Sequence, residues 1–106
     1  MDAEGMKSRT KLFAINIALL TQMLPDTIIN RAYKGQIIRS GSSVGANYRA
    51  SRRAKSNADF INKLKIVEEE LDESLFFLEL LEVFNESFRD EILLKIIVAS
   101  IISSRK

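Results

Sequence analysis

The chain has 106 residues, 46% of them hydrophobic and 28% charged, with one proline and four glycines. These proportions fit one globular domain with a modest core, and they exclude a disordered tail or a membrane-embedded chain. Cysteine and histidine are both absent, which removes disulfides, zinc sites, histidine-dependent triads and the Glu-x-x-His di-iron pattern of some bundles. No catalytic residue, metal or cofactor is expected, and a reducing cytoplasm is the expected location.

The net charge of +2 hides an uneven distribution. From Arg31 to Lys65 nine Lys or Arg face one acid, Asp59, whereas from Ile66 to Leu94 ten acids face Arg89 alone. Such asymmetry bears on partners more than the net value does.

The first predicted helix covers about 7–24. It has two apolar seams at helical spacing, Leu12/Ile15/Leu19/Met23 and Phe13/Ile17/Leu20/Leu24. Asn16, Thr21 and Gln22 interrupt the apolar run, and no small-residue cleavage site precedes Pro25, so the segment reads as a bundle helix rather than a secretory signal. Pro25 ends it, and Asp26 or Thr27 can cap the next helix.

The second helix covers about 28–53, with Tyr33, Ile37, Val44 and Tyr48 on one side. Gly35, Gly41 and Gly45 each weaken it by about 1 kcal/mol relative to Ala. The spacing Gly41-x-x-x-Gly45, beside Ser42 and Ala46, makes a smooth strip where another helix can approach closely. Gln36, Arg39, Ser43 and Asn47 recur at helical spacing and, if buried, would fix the register between helices through hydrogen bonds.

Ser56 to Asp59 reads as a capping-box variant opening a third helix over 57–84. Its seam is Phe60, Leu64, Val67, Leu71, Leu75, Leu78 and Leu81, and a second apolar set, Ile66, Phe77, Leu80 and Phe84, lies on another face. The fourth helix, about 88–103, is apolar nearly all round from Ile92 to Ile102. A helix of that kind requires burial on more than one side. Ile66, Phe77, Leu80, Phe84, Ile97 and Ile101 are therefore the candidate oligomer interface. Asn85-Glu86-Ser87 fits a glycosylation sequon but reads as a cap and loop, since no secretion signal accompanies it.

The run Gly35-Gln36-Ile37-Ile38-Arg39-Ser40-Gly41-Ser42-Ser43-Val44-Gly45-Ala46-Asn47-Tyr48-Arg49-Ala50 resembles the signature of the four-helix bundle proteins named after the 23S rRNA intervening sequence. Lys55-Ser56-x-x-Asp59-Phe60-Ile61-x-Lys63-Leu64 and Glu70-x-x-Glu73-Ser74-x-x-x-Leu78-Glu79-Leu80-Leu81 are similar to the same family. The resemblance implies an all-α, up-down, left-handed four-helix bundle of one domain, assembled as a ring and typically a homopentamer. It also implies likeness to the nucleic-acid-binding accessory protein of diversity-generating retroelements. It supplies no catalytic residue. The chain departs from the commoner pattern in following Ala50 with Arg52 and Arg53, which makes the segment more basic, and in placing Phe76-Phe77 where Trp is frequent.

On a continuous second helix, Arg31, Lys34, Arg49, Arg52 and Arg53 project to one broad side, and with Lys55 they form the candidate nucleic-acid site. A ring would repeat them into a basic surface whose binding depends steeply on salt. The plainer alternative is pairing with acids of the third helix, which opposite charge on adjacent helices predicts directly. The acidic run Glu68-Glu69-Glu70-x-Asp72-Glu73 spreads around its helix and reads as a solvated or salt-bridged face rather than a cation site. The chain thus reads as a homo-oligomer that binds RNA or DNA, with a protein-interaction scaffold as the competing function, and without a membrane or small-molecule partner.

Overall fold

The computed structural model describes residues 2–105. They form α1 (Ala3–Met23), α2 (Ile28–Ser51), α3 (Asn57–Phe84) and α4 (Arg89–Arg105), with a 3-10 turn, Glu86–Phe88, leading into α4.

Local chemistry sets the helix ends. The Asp2 carboxylate accepts from the Gly5 amide at 2.7 Å, so α1 begins four residues ahead of the expected Lys7. It stops ahead of the Leu24–Pro25 step, where the α region is disfavoured. Thr27, rather than Asp26, caps α2 by accepting from the Asn30 amide at 3.0 Å. At the other end of α2 the amides of Arg53 and Ala54 turn back to the carbonyls of Ala50 and Ser51, closing the helix two residues short of Arg53. The Ser56 hydroxyl accepts from the Asp59 amide at 3.1 Å, and the Asp59 carboxylate accepts from the Lys55 amide at 3.2 Å. This capping box is wider by one residue than the usual form.

α1 packs on α2 and α4, and α3 packs on the same two helices. Among the described residues α1 does not touch α3, nor α2 touch α4. The helices therefore stand in cyclic order around one core, within a body of 45 × 23 × 17 Å. Cross-helix neighbours run in reverse order: Gly41 lies beside Ile17 and Gly45 beside Thr10. Likewise Asn30 reaches Asn85, Ser40 reaches Ser74 and Arg52 reaches Phe60. The core is built from Phe13, Ile17 and Leu20 of α1, Ile37 and Val44 of α2, Val67, Leu71, Leu78 and Leu81 of α3, and Ile92, Ala99 and Ile102 of α4.

Only one of the two α1 seams enters that core. Phe13, Ile17, Leu20 and Leu24 are buried, whereas Leu12, Ile15, Leu19 and Met23 are all exposed. The polar row on α2 is not buried in register-fixing contacts. Gln36 and Arg39 are exposed, and Asn47 donates to the carbonyl of Ser43 on its own helix at 2.9 Å. The buried cross-helix polar contacts are instead Ser74 to Ser40 at 3.0 Å and the Asn30–Asn85 pair.

The small-residue strip faces α1. A Cβ on Gly45 would lie 3.2 Å from Thr10 Oγ1 and one on Gly41 would lie 3.4 Å from Ile17 Cγ2, while Gly35 has open space. Gly35→Ala should therefore stabilise the fold by about 0.5–1 kcal/mol through helix propensity alone. Gly45→Ala gains the same propensity but presses on Thr10, whose hydroxyl is tied to the Met6 carbonyl at 2.9 Å. In thermal denaturation the first substitution raises Tm and the second falls clearly below it.

Candidate nucleic-acid interface

The fold divides the basic block. Arg31 and Lys34 stand at the start of α2, Arg49 at its end, and Arg52, Arg53 and Lys55 in the turn beyond. Eighteen residues separate Arg31 from Arg49 and Lys34 from Arg52, five whole helical turns. A wheel projection superimposes them, while the axis holds them roughly 27 Å apart. Arg31 and Lys34 are also engaged locally: Arg31 Nε donates to Asp26 Oδ1 at 2.8 Å, and Lys34 Nζ donates to the Leu24 carbonyl at 2.9 Å. The expected common side holds in azimuth, but along the axis the block divides into two groups, and Arg31 and Lys34 of the first group are bound locally.

The four remaining residues share one end of the bundle. Arg49, Arg52, Arg53 and Lys55 are all exposed, and none forms an ion pair among the described residues. The Arg52 guanidinium lies 6.0 Å from the centroid of the Phe60 ring, a cation–π contact that leaves its N–H groups available. Arg53 Nη1 donates to the Arg49 carbonyl at 3.3 Å. Between them is an open depression of about 320 Å³ lined by Ser51, Arg52, Lys55, Ser56 and Phe60. A neighbouring groove of about 330 Å³ between α1 and α2 has Lys11 and Arg49 on its walls.

That groove brings in cations that lay outside the sequence block. Because α2 runs back along α1, the opening turns of α1 deliver Lys7, Arg9 and Lys11 to the end where α2 finishes. Lys63 and Lys65 join from the first third of α3. The acids here are already committed: Asp2 and Asp59 cap helices, and Glu4 pairs with Lys7 at 3.4 Å. The far end carries Asp26, Glu79, Glu82, Glu86, Asp90 and Glu91 against Arg31, Lys34 and Arg89, and Arg89 donates to Glu82 at 3.1 Å. The bundle is thus polarised along its long axis.

Pairing with α3 does capture one arginine of the block. Arg39 donates to Glu70 at 3.2 Å and to Glu73. Its pKa is held above the ordinary value, chiefly by the hydrogen bond to Glu73, against partial desolvation and with further help from both carboxylates. Two members of the acidic run thereby serve as bridge partners. Among the described residues no cluster of Asp and Glu is arranged to hold a metal ion, and no helix is long and apolar enough to cross a membrane.

The model of the 23S rRNA-intervening sequence protein family matches residues 6–94. The chain belongs to that family. Similar to it is a crystal structure of a protein of unknown function from the S23 ribosomal protein family of Bacteroides thetaiotaomicron. That chain is 34% identical, with a TM-score of 0.88, over 98% of this chain and 93% of the other. None of the curated proteins matches.

In this member of the 23S rRNA-intervening sequence family the expected interface residues do not form one surface. On α3, Ile66, Phe77 and Leu80 are half-buried and Phe84 is exposed. The Tyr33 ring stands 6.0 Å from Phe77 and 6.1 Å from Phe84, so α2 already covers part of that set. Ile97 and Ile101 are exposed on α4, and Ile101 faces α1 across a groove of about 370 Å³ shared with Leu12, Phe13, Val98 and Ile102. The exposed row of α1 is invisible to sequence patterning because both of its seams have equal helical spacing, and periodicity alone does not say which one a bundle buries.

Proposed function

We propose that this family member is a non-catalytic, homo-oligomeric, cytoplasmic protein that binds nucleic acid through the basic end of its bundle. In this reading the subunit is an up-down, left-handed bundle and the assembly a ring, five-membered as the family resemblance implies. The observation that carries the binding role is the convergence of Arg49, Arg52, Arg53 and Lys55 at one end without carboxylate partners among the described residues. Lys11 stands beside them across the α1–α2 groove. Unpaired exposed cations exchange condensed counterions for phosphates at little desolvation cost, and arginine suits bidentate phosphate contacts. The name of the family, taken from an intervening sequence of 23S rRNA, supports nucleic acid as the ligand class.

The test is fluorescence anisotropy of labelled RNA and DNA across a salt series. Binding should weaken along a straight line of log affinity against log salt. Its slope counts the phosphates neutralised, at about 0.9 per contact on B-form DNA and about 0.7 on single strands. Absence of binding at low salt would reject the function, and tight binding indifferent to salt would reject the mechanism.

A further inference from the structure

We propose that the depression at the α2–α3 turn is a nucleobase subsite, and that the basic end therefore takes single-stranded nucleic acid in preference to a duplex. The inference rests on the nucleic-acid reading above and names the form of the ligand. It turns on Phe60, near the start of α3. Among the described residues Phe60 neither belongs to the buried core nor packs against it, and no other aromatic ring lies against it. It is half-buried and lines a mostly polar hollow of about 320 Å³. The group over its ring is the Arg52 guanidinium, 6.0 Å from the centroid.

The groups around that ring match the parts of one nucleotide. The π-face of Phe60 suits the flat face of a base. Arg52 is exposed and no carboxylate holds it in place, so its guanidinium can yield the ring to a base and stack on the base's outer side. Asn57, exposed on the same wall, offers a donor and an acceptor to a base edge. The phosphate has Lys55 beside it and the amides of Asn57 and Ala58, which open α3 and have no acceptor within the helix. The nearest acid in sequence, Asp59, is turned to the Lys55 amide at 3.2 Å. The volume lies at the lower bound of small-ligand pockets, room for one nucleotide unit and not for a duplex. Arg49 and Arg53 are left for flanking phosphates.

Inside a duplex both faces of every base are already stacked, so Phe60 would stay in water and only phosphates would be read. Electrostatics alone ranks the duplex first, because its charge is denser, with about 0.9 counterions released per contact against about 0.7 on a single strand. Stacking on an aromatic ring reverses that order. It also depends little on salt, so the advantage of the single strand grows as the phosphate contribution is screened.

The experiment compares one labelled oligonucleotide, single-stranded and annealed to its complement, in anisotropy titrations with the full chain. The single strand should bind on the order of tenfold more tightly at about 0.15 M salt, with the ratio rising as salt is added. Phe60→Leu keeps an apolar side chain but removes the π-face. It should lower single-strand affinity on the order of tenfold while leaving duplex affinity and the log–log salt slope unchanged. The chain has no tryptophan, so Phe60→Trp places its one indole at the site. That fluorescence should be quenched by the bound single strand, but not by the bound duplex or by inorganic polyphosphate. A duplex bound as tightly as the single strand, a Phe60→Leu loss equal for both forms, or an indole unquenched by a bound single strand overturns the base subsite and leaves the basic-end reading standing. Absence of binding to either form removes both. Helical circular dichroism is the folding control, and should a variant lose it, the comparison of the two forms on the unmodified chain decides.

Discussion

Replacing Asn30 by Ala should cost this bundle about 2–4 kcal/mol, a large share of the stability of a domain this size. Asn30 and Asn85 are both buried and face each other as a closed amide pair. Asn30 Nδ2 donates to Asn85 Oδ1 and Asn85 Nδ2 to Asn30 Oδ1, each at 2.8 Å. The second proton of each amide goes to backbone, Asn30 to the Pro25 carbonyl at 2.9 Å and Asn85 to the Leu81 carbonyl at 2.8 Å. Two hydrogen bonds thus cross from the start of α2 to the end of α3, and one more anchors each amide to its own segment. Truncating one partner strands a buried amide and a buried carbonyl, which costs far more than the net value of the bonds lost. Chemical denaturation should give a coupling energy of about 1–3 kcal/mol between Asn30→Ala and Asn85→Ala, the double variant being less damaged than the sum. Additive losses would show that the two amides do not act as a pair.

Asn30→Asp separates shape from hydrogen bonding at the same position. It keeps the volume but offers oxygen where Pro25 and Asn85 need a donor. The buried carboxyl must be protonated to replace that donor, so its folded-state pKa is raised above the unfolded value of about 3.9. Its stability is therefore greatest below the unfolded pKa and declines as pH rises through the folded one. Urea titrations at pH 4 and pH 8 should show the variant losing stability with rising pH relative to the parent chain.

Much of the architecture was legible in the residues. Phe13, Ile37, Leu71 and Leu78 announced themselves by spacing, Pro25 and Ser56 by turn chemistry, and Gly41 and Gly45 by their four-residue spacing, with the approach to α1 tighter at Gly45 than at Gly41. What escaped was three-dimensional. Asn30 and Asn85, 55 residues apart, carry no periodic signal, and Asn85 sat in a segment that reads as an ordinary loop. The basic end was half legible. Arg49, Arg52, Arg53 and Lys55 are close in sequence, but Arg31 and Lys34 joined them only in projection. The cations of α1 join them only once the helix directions are known. The Gly45–Thr10 and Gly41–Ile17 approaches show that direction in the structure, since they set the end of α2 against the beginning of α1.

The axial separation makes the binding proposal selective in what it forbids. Arg49→Glu, Arg52→Glu and Arg53→Glu together should lower nucleic-acid affinity on the order of 100-fold or more at low salt. They should also flatten the log–log salt slope by about two to three contacts per bound subunit. Arg31→Glu changes charge by the same amount per residue, on the same helix and at the same azimuth as Arg49. It lies roughly 27 Å away along the axis, beside Asp26. At ordinary salt that distance exceeds the screening length of about 8–10 Å, so Arg31→Glu should leave affinity and slope within error of the parent protein. A general attraction to positive charge would instead make the effect scale with the number of charges changed, wherever they lie. Anisotropy titrations of the two variants against one RNA, with sedimentation to verify an unchanged assembly, distinguish the cases. Equal losses per charge at both ends would place the nucleic acid along the whole bundle and not on its basic end.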